Sequence, residues 1–126
     1  METTRPACTT VYYDGQCPVC AREIAMYRRR QGADALRWVD ASIATPAELG
    51  PDLSREAALA RMHLRDPQGR LVGGAAAFVA LWRSLPATAW WGRLCSRPVV
   101  LAALEVGYRV FLRVRRLWRT PDPLAR

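Results

Sequence analysis

A strand, a helix and a second strand follow one another in the first third of the chain, and this order limits the possible folds more than any other feature. Residues 8–13 (CTTVYY) are mostly β-branched or aromatic and precede Asp14-Gly15, which is typical of a buried strand that ends in a turn. Residues 17–30 have apolar side chains at helical spacing, and residues 36–40 (LRWVD) form a second strand pattern. The pattern predicts a right-handed βαβ unit with parallel strands.

The rest of the chain adds a hairpin and further helices to this unit. A Pro-Gln-Gly turn at 67–69 separates strand patterns at 62–66 and 70–72, which predicts a β-hairpin. The order predicts an α/β fold of the thioredoxin-like type, with a small four-stranded mixed sheet, flanking helices and an added C-terminal amphipathic helix. A capping box is predicted at 45–48, and helices are predicted at 54–60, 74–85 and 98–119.

Two cysteines lie at the predicted start of the first helix, in the sequence Cys17-Pro18-Val19-Cys20. The two intervening residues place both thiols on one helical turn, close enough to form a disulfide. The first thiol faces unpaired N–H groups and the positive end of the helix dipole, and both favour the thiolate. We therefore expect a redox pair in which Cys17 is the exposed nucleophile. Cys20, which points toward the helix interior, is the expected resolving thiol.

Two other interpretations of the pair are open at this point. A CxxC can be half of a zinc site, but the sequence has no second CxxC and no HxxxH, and the remaining soft ligands Cys8, His63 and Cys95 are scattered. The two cysteines can also be inert core residues. The position between a strand and a helix of a βαβ unit favours redox chemistry, so no metal and no cofactor are expected.

Asp14 lies three residues before Cys17 and is the third candidate catalytic residue. A carboxylate near a thiol can transfer protons or tune the thiol pKa, which an ionised carboxylate raises. Asp14 can also form an Asx turn or a helix cap with Gly15. The turn role is favoured, and the two roles are compatible.

The 126 residues have a formal net charge of +8, and all 19 basic residues are arginines. The absence of lysine excludes Schiff-base chemistry through a lysine side chain. A basic excess can bind nucleic acid, contact an anionic membrane or only solubilise the protein. Because the densest arginine clusters fall at helix ends, no nucleic-acid partner is expected. Residues 1–120 are expected to form one domain, and 121–126 a short proline-containing tail.

The last predicted helix has a basic amphipathic composition. We expect its apolar stripe to complete the core, and contact with an anionic membrane is the less favoured alternative. Its longest apolar stretch, 99–112, is interrupted by charges and is too short to span a bilayer. No secretory signal is recognised before residue 8. A cytoplasmic location is therefore expected. The predicted apolar stripe consists of Val100, Leu104, Phe111, Val114 and Trp118, and the opposite stripe of Glu105, Arg109, Arg113 and Arg116.

The run Tyr13-Asp14-Gly15-Gln16-Cys17-Pro18-Val19-Cys20 resembles the signature of the DCC family of predicted thiol-disulfide oxidoreductases, which is named for its aspartate and two cysteines. The resemblance covers nearly the whole chain, and it implies a thioredoxin-like fold and a redox role. Later blocks that are similar to the family are Met62-His63-Leu64, Asp66-Pro67-Gln68-Gly69, Gly73-Gly74-Ala75-Ala76-Ala77-Phe78, Leu81-Trp82 and Leu85-Pro86, with Tyr108 and Arg116 near the end.

The likeness to thioredoxins is incomplete where the third strand begins. Thioredoxins have a cis-proline there that holds the backbone of the partner, whereas this chain has Arg61-Met62-His63, so Arg61 or Met62 is expected to face the cysteines. Cys-Pro-x-Cys and Gly73-Gly74 are similar to glutaredoxin motifs, which makes glutathione a candidate partner whose carboxylate would bind a helix N-terminus. The candidate substrate-binding residues are Pro18, Arg61, Met62, Gly73 and Gly74.

These patterns together predict a thiol-disulfide oxidoreductase that acts on a disulfide-containing protein or small molecule. The alternative is a non-enzymatic metal-binding or redox-sensing adaptor. Such an adaptor would dock on a membrane surface or a protein partner through its basic C-terminal helix.

Overall fold

The computed structural model describes residues 8–117, and its centre is a four-stranded mixed sheet in the order β2-β1-β3-β4. Strand β1 is parallel to β2, while β1–β3 and β3–β4 are antiparallel, so the βαβ unit and the hairpin are confirmed. The strands are β1 (Thr10–Tyr13), β2 (Arg37–Asp40), β3 (His63–Arg65) and β4 (Leu71–Gly73).

Helices cover both faces of this sheet, and the α/β thioredoxin-like fold is confirmed. The last helix ends at Val114 and continues as a 3₁₀ turn over Arg115–Leu117, whereas a helix to residue 119 was predicted. Residues 118 and 119 of that predicted helix lie outside the described range, as does the predicted domain boundary at residue 120. The helices are α1 (Pro18–Arg28), α2 (Pro46–Leu49), α3 (Arg55–Ala60), α4 (Ala75–Ser84), α5 (Ala89–Cys95) and α6 (Pro98–Val114).

Alternation along β1 divides the core into two layers, because successive strand residues point to opposite faces. Val11 belongs to a cluster with Ile24 of α1 and Leu81 of α4, all of them buried. Tyr12 belongs to the cluster on the other face, beneath α2 and α3. The sheet is therefore covered on both sides, and the end of β1 delivers the chain to the start of α1.

Helix α5 was not predicted, and its composition explains why. It contains Trp90, Trp91 and Gly92, which are weaker helix formers than alanine or leucine. Packing against α4 stabilises it instead: a β-carbon on Gly92 would lie 2.7 Å from the backbone nitrogen of Arg83, so the two helices meet at a glycine. The capping box before α2 is confirmed, with Thr45 and Glu48 each accepting a backbone N–H of the other.

Helix α6 differs from its predicted arrangement on both stripes. Val114 is exposed, whereas Glu105 faces the N-terminus of α4 and is largely covered. Val100, Leu104 and Phe111 are half-buried, in line with the predicted core cover. Within residues 8–117, no helix is both long and apolar enough to cross a membrane.

Candidate active site

The two cysteine sulfurs are in contact at the start of α1. Cys17 is the N-cap residue of the helix, and its Sγ accepts the backbone N–H of Cys20 at 3.4 Å. The Cys20 thiol points at the same atom, with 2.7 Å between the two sulfurs. Since a disulfide bond is about 2.05 Å long, a small approach of the sulfurs would allow the bond to form. Two donors thus converge on Cys17 Sγ.

The predicted exposure of the Cys17 thiol is wrong. Cys17 is 0% exposed, while Cys20 is half-buried. The tight turn before the helix brings backbone and side chains around Cys17, because the N–H of Cys17 is bonded to the carbonyl of Asp14 at 3.2 Å. Of the other two cysteines, Cys95 is buried and Cys8 is exposed.

Asp14 has the structural role that the sequence favoured. Its Oδ1 accepts the N–H of Gln16 at 3.0 Å, which closes an Asx turn, and the side chain is almost fully buried. The next residue, Gly15, donates its N–H to Asp40 Oδ1 at 2.9 Å and so ties the turn to the end of β2. The turn before the cysteines is therefore held by two carboxylates, one local and one from the neighbouring strand.

Replacing Gly15 with alanine should destabilise the protein by about 2 kcal/mol, because the new methyl group displaces the Asp40 carboxylate. A β-carbon on Gly15 would lie 1.9 Å from Asp40 Oδ2, and Asp40 Oδ1 also accepts two hydrogen bonds from Ser42. Urea unfolding measures the change. Gly107→Ala is the matched control, since no atom lies within 4 Å of its β-carbon and alanine favours the helix. Equal stability of Gly15→Ala and the wild type would contradict this account.

Arg115 is the residue of the site that the sequence analysis missed. It lies just after α6, is 6% exposed, and approaches Cys20 Sγ at 3.8 Å with Nη1. The same nitrogen is 3.6 Å from Asp14 Oδ2, and Nη2 donates to the carbonyls of Leu59 and Ala60 at the end of α3. One buried guanidinium therefore links the last turn of the described chain to the cysteine pair.

A pattern in the sequence could have revealed Arg115. Leu104, Tyr108, Phe111 and Arg115 recur at helical spacing, so an arginine continues the stripe that packs on the core. The predicted stripe was instead continued through Val114, on the opposite side of the last turn. An arginine in line with an apolar stripe is a reason to look for a buried carboxylate or carbonyl groups near it.

The surroundings of Cys20 keep its thiol protonated. Burial, the hydrogen bond to Cys17 and the charge of Cys17 raise its pKa to about 12, and Arg115 acts in the opposite direction. Glu23, one turn further along α1, also has a raised pKa because it is buried. The protonated thiol and the cation beside it are the arrangement expected of a resolving cysteine.

A small enclosed cavity of about 30 Å³ lies beside Cys20, large enough for one or two water molecules. Cys20, Asp14 and Arg115 line it together with Arg61 and Met62, so the two residues expected to face the cysteines do reach the site. The other lining residues are mainly apolar or aromatic: Tyr13, Val19, Glu23, Ile24, Ala58, Phe78, Tyr108 and Phe111.

The backbone of Met62, in the segment where thioredoxins have their cis-proline, is bonded to other parts of this chain. Its N–H donates to the Tyr108 hydroxyl of α6 at 2.7 Å, and its carbonyl accepts the N–H of Gly74 at 2.9 Å. None of the described peptide bonds is cis. A partner's backbone could bind Met62 only after Tyr108 moved away.

The N-terminus of α4 already holds a carboxylate from the same chain. Gly74 has a φ of +71°, which glycine adopts without strain, and the following N–H, of Ala75, donates to Glu105 Oε1 at 3.1 Å. Glu105 also pairs with Arg61 and Arg109. Burial opposes its ionisation, but the amide and the two guanidinium groups outweigh it and lower the pKa of Glu105. The position predicted for a substrate carboxylate at Gly73-Gly74 is therefore filled internally.

Pro18 and His63 complete the predicted set. Pro18 is exposed in the first turn of α1, at the rim of the cysteine pair. His63 Nδ1 lies 2.8 Å from the carbonyl of Arg61, and burial lowers its pKa, but its ring does not line the cavity. Gly73 and Gly74 do not line it either. Among residues 8–117, no three His, Cys, Asp or Glu side chains are grouped to hold a metal ion.

The profile of the DCC1-like thiol-disulfide oxidoreductase family matches residues 11–120, which include the turn, the cysteine pair and all of α6. The chain belongs to this family. The match confirms the resemblance carried by Asp14, Cys17 and Cys20, and it supports a redox role for the pair. No curated protein and no solved structure matches the chain.

Proposed function

We propose that the protein is a dithiol oxidoreductase in which Cys17 is the nucleophile and Cys20 the resolving thiol. The observation that carries the proposal is the asymmetry of the pair: two donors point at Cys17 Sγ, whereas Cys20 keeps its proton. A thiolate is the attacking species in disulfide exchange, so the sulfur that receives the donors is the one expected to attack.

The reaction has two exchanges. In the first, the Cys17 thiolate attacks one sulfur of a substrate disulfide, a Cys17–substrate disulfide forms, and the other substrate sulfur leaves as a thiolate that takes up a proton. In the second, Cys20 loses its proton and attacks Cys17 Sγ, and the remaining substrate sulfur leaves. The substrate gains two electrons and two protons, and the enzyme pair is oxidised to a disulfide.

Arg115 supports the second exchange. The Cys20 proton must leave before attack, and the guanidinium 3.8 Å away stabilises the thiolate that forms. Asp14 holds Arg115 from the other side and also forms the turn before Cys17, so its proposed role is to position both groups. Water in the cavity beside Cys20 and the Glu23 carboxyl provide a route for the released proton.

A disulfide-containing protein or small molecule reaches the pair along the exposed start of α1. Pro18 and Val19 are exposed and form a shallow groove with Arg22, Glu23 and Met26. Because Cys17 is fully covered, its attack requires a local opening of the turn or of α6. Arg61 and Met62 lie on the other side of Cys20 and would meet the substrate after such an opening.

Two predictions from the sequence stay predictions. Glutathione use requires a site for a glutathione carboxylate, and a carboxylate that binds beside Gly74 would have to displace the Glu105 side chain. The cytoplasmic location also remains to be measured.

A trapping experiment tests the proposal. In a Cys8→Ser/Cys95→Ser background, a dye-labelled peptide disulfide is added to the Cys20→Ser and Cys17→Ser variants, and adducts are located by mass spectrometry. Cys20→Ser should accumulate a mixed disulfide on Cys17, because no resolving thiol remains. Cys17→Ser should form no adduct at neutral pH, and its reduction of the peptide should fall to the uncatalysed level.

The double-serine background is the reference for both variants, since it keeps the active pair and removes the other two thiols. If Cys17→Ser forms an adduct on Cys20 as fast as the reference protein reacts with the peptide, the assigned roles of the two cysteines are reversed. An adduct on neither cysteine in either variant would reject disulfide exchange.

A further inference from the structure

Helix α6 is apolar on the side that faces away from the protein as well as on the side that packs. None of its residues is fully buried, although Leu104, Tyr108 and Phe111 cover α4, and the Tyr108 and Phe78 ring centroids are 5.3 Å apart. The opposite side is also apolar, with five large side chains between 42 and 84% exposed. This outer stripe consists of Val99, Val106, Val110, Val114 and Leu117.

The spacing of the outer stripe places its members in one line. Positions separated by seven, four, four and three residues fall on the same side of a helix, over a length of about 27 Å. A continuous apolar line of this kind on a monomer marks a surface that meets another apolar medium.

The charges beside the outer stripe are all positive. Arg109, Arg113 and Arg116 lie along one edge of it and are exposed. The only acidic residue between 98 and 117 is Glu105, which accepts the N–H of Ala75 and pairs with Arg61 and with Arg109. The charge of Arg109 is therefore largely compensated, and Arg113 and Arg116 supply the cationic border. The surface therefore combines an apolar line with a cationic border.

We propose that the outer stripe of α6 binds peripherally to an anionic lipid bilayer, with the helix lying in the plane of the interface. Arginines at the border pair with lipid phosphates while the valines and Leu117 enter the acyl boundary. A second copy of the chain fits less well, because packing two stripes would bring Arg113 and Arg116 of both copies together, and Glu105 is already paired with Arg61 and Arg109. The proposal does not depend on the redox function.

Vesicle binding tests this surface. Tryptophan fluorescence and co-sedimentation are measured with phosphatidylcholine vesicles that contain or lack phosphatidylglycerol. The wild type should bind only the vesicles with phosphatidylglycerol, and more weakly as salt is raised. Val106→Asp/Val110→Asp should weaken binding about tenfold or more, because two side chains no longer enter the bilayer. Arg113→Ser/Arg116→Ser should weaken it about 30-fold, at roughly 1 kcal/mol per charge.

Ile43→Asp is the matched control. It places one aspartate on an exposed apolar residue in the loop after β2, away from the stripe, and it should bind like the wild type. Circular dichroism verifies that each variant is folded. If Val106→Asp/Val110→Asp (the aspartate pair) unfolds the protein, the vesicle binding of Arg113→Ser/Arg116→Ser (the serine pair) decides the test. Peptide reduction by the aspartate pair in solution should equal that of the wild type.

Any of three outcomes would overturn the proposal. The first is that the wild type does not bind phosphatidylglycerol vesicles, and the second is that both double variants bind them as tightly as the wild type. The third is that Ile43→Asp loses as much binding as the double variants. Size-exclusion chromatography measures the oligomeric state of the same proteins. If the wild type is a dimer that does not bind vesicles, and Val106→Asp/Val110→Asp is a monomer, the outer stripe serves self-association instead.

Discussion

Arg115→Met should lower the free energy of unfolding by about 3 kcal/mol or more and slow the resolving step of disulfide exchange. Methionine fills a similar volume but removes the guanidinium that lies 3.6 Å from the buried Asp14 carboxylate. The carbonyls of Leu59 and Ala60 also lose their donor. Removing one partner of a buried ion pair costs far more than removing an exposed charge, because the remaining charge stays desolvated.

The neighbouring residue provides the control for this substitution. Arg116 is exposed, so Arg116→Met makes the same chemical change one position later and should alter stability by about 0.5 kcal/mol or less. Urea unfolding measures stability, and stopped-flow release of the second thiol from a Cys17 mixed disulfide measures resolution. If the two methionine variants unfold at the same urea concentration, Arg115 does not hold the site together.

Cys20 should resist alkylation at neutral pH and become reactive only in strong base. A thiol with a pKa of about 12 is ionised in roughly one molecule in 10⁵ at pH 7, and the thiolate fraction rises about tenfold per pH unit below that pKa. Iodoacetamide labelling of the reduced protein over a pH series, read by mass spectrometry, follows each cysteine separately. Cys8 is exposed in the same molecule and serves as the internal reference.

Removing the first cysteine should make the second one more reactive. The hydrogen bond and the charge of Cys17 both raise the pKa of Cys20, so Cys17→Ala lowers that pKa, and labelling of Cys20 at neutral pH should accelerate by about tenfold or more. Arg115→Met should raise the pKa of Cys20 and slow its labelling, because the guanidinium of Arg115 lowers that pKa in the wild type. Unchanged labelling of Cys20 in Cys17→Ala would show that burial alone controls this thiol.

Local signals in the sequence were sufficient for the elements that form the first βαβ unit and the hairpin. The strand before Asp14-Gly15, the helix that opens at Cys17 and the turn at 67–69 each depend on neighbouring residues, and all are confirmed. Helix α5 depends instead on its approach to α4 at Gly92, a contact between helices that local propensity does not report.

Two residues of the site that could not be predicted come from α6 and the 3₁₀ turn that follows it. Glu105 and Arg115 belong to a segment that looks polar on one side, and only its path across the sheet shows that Glu105 meets Ala75 and that Arg115 meets Asp14. The burial of Cys17 likewise depends on how the preceding turn closes, whereas the sequence indicates only that a helix begins there. Spacing identifies reacting residues, but tertiary packing decides which of them solvent can reach.

Two backbone amides outside α6 are bonded to side chains of that helix: Met62 donates to Tyr108, and Ala75 donates to Glu105. The exchange of these two protons with deuterium therefore records how often α6 leaves the sheet, independently of any substrate. If the opening that exposes Cys17 is a movement of α6, both protons will report the same free energy of opening once their intrinsic exchange rates are divided out, and that free energy sets the fraction of molecules whose Cys17 can react.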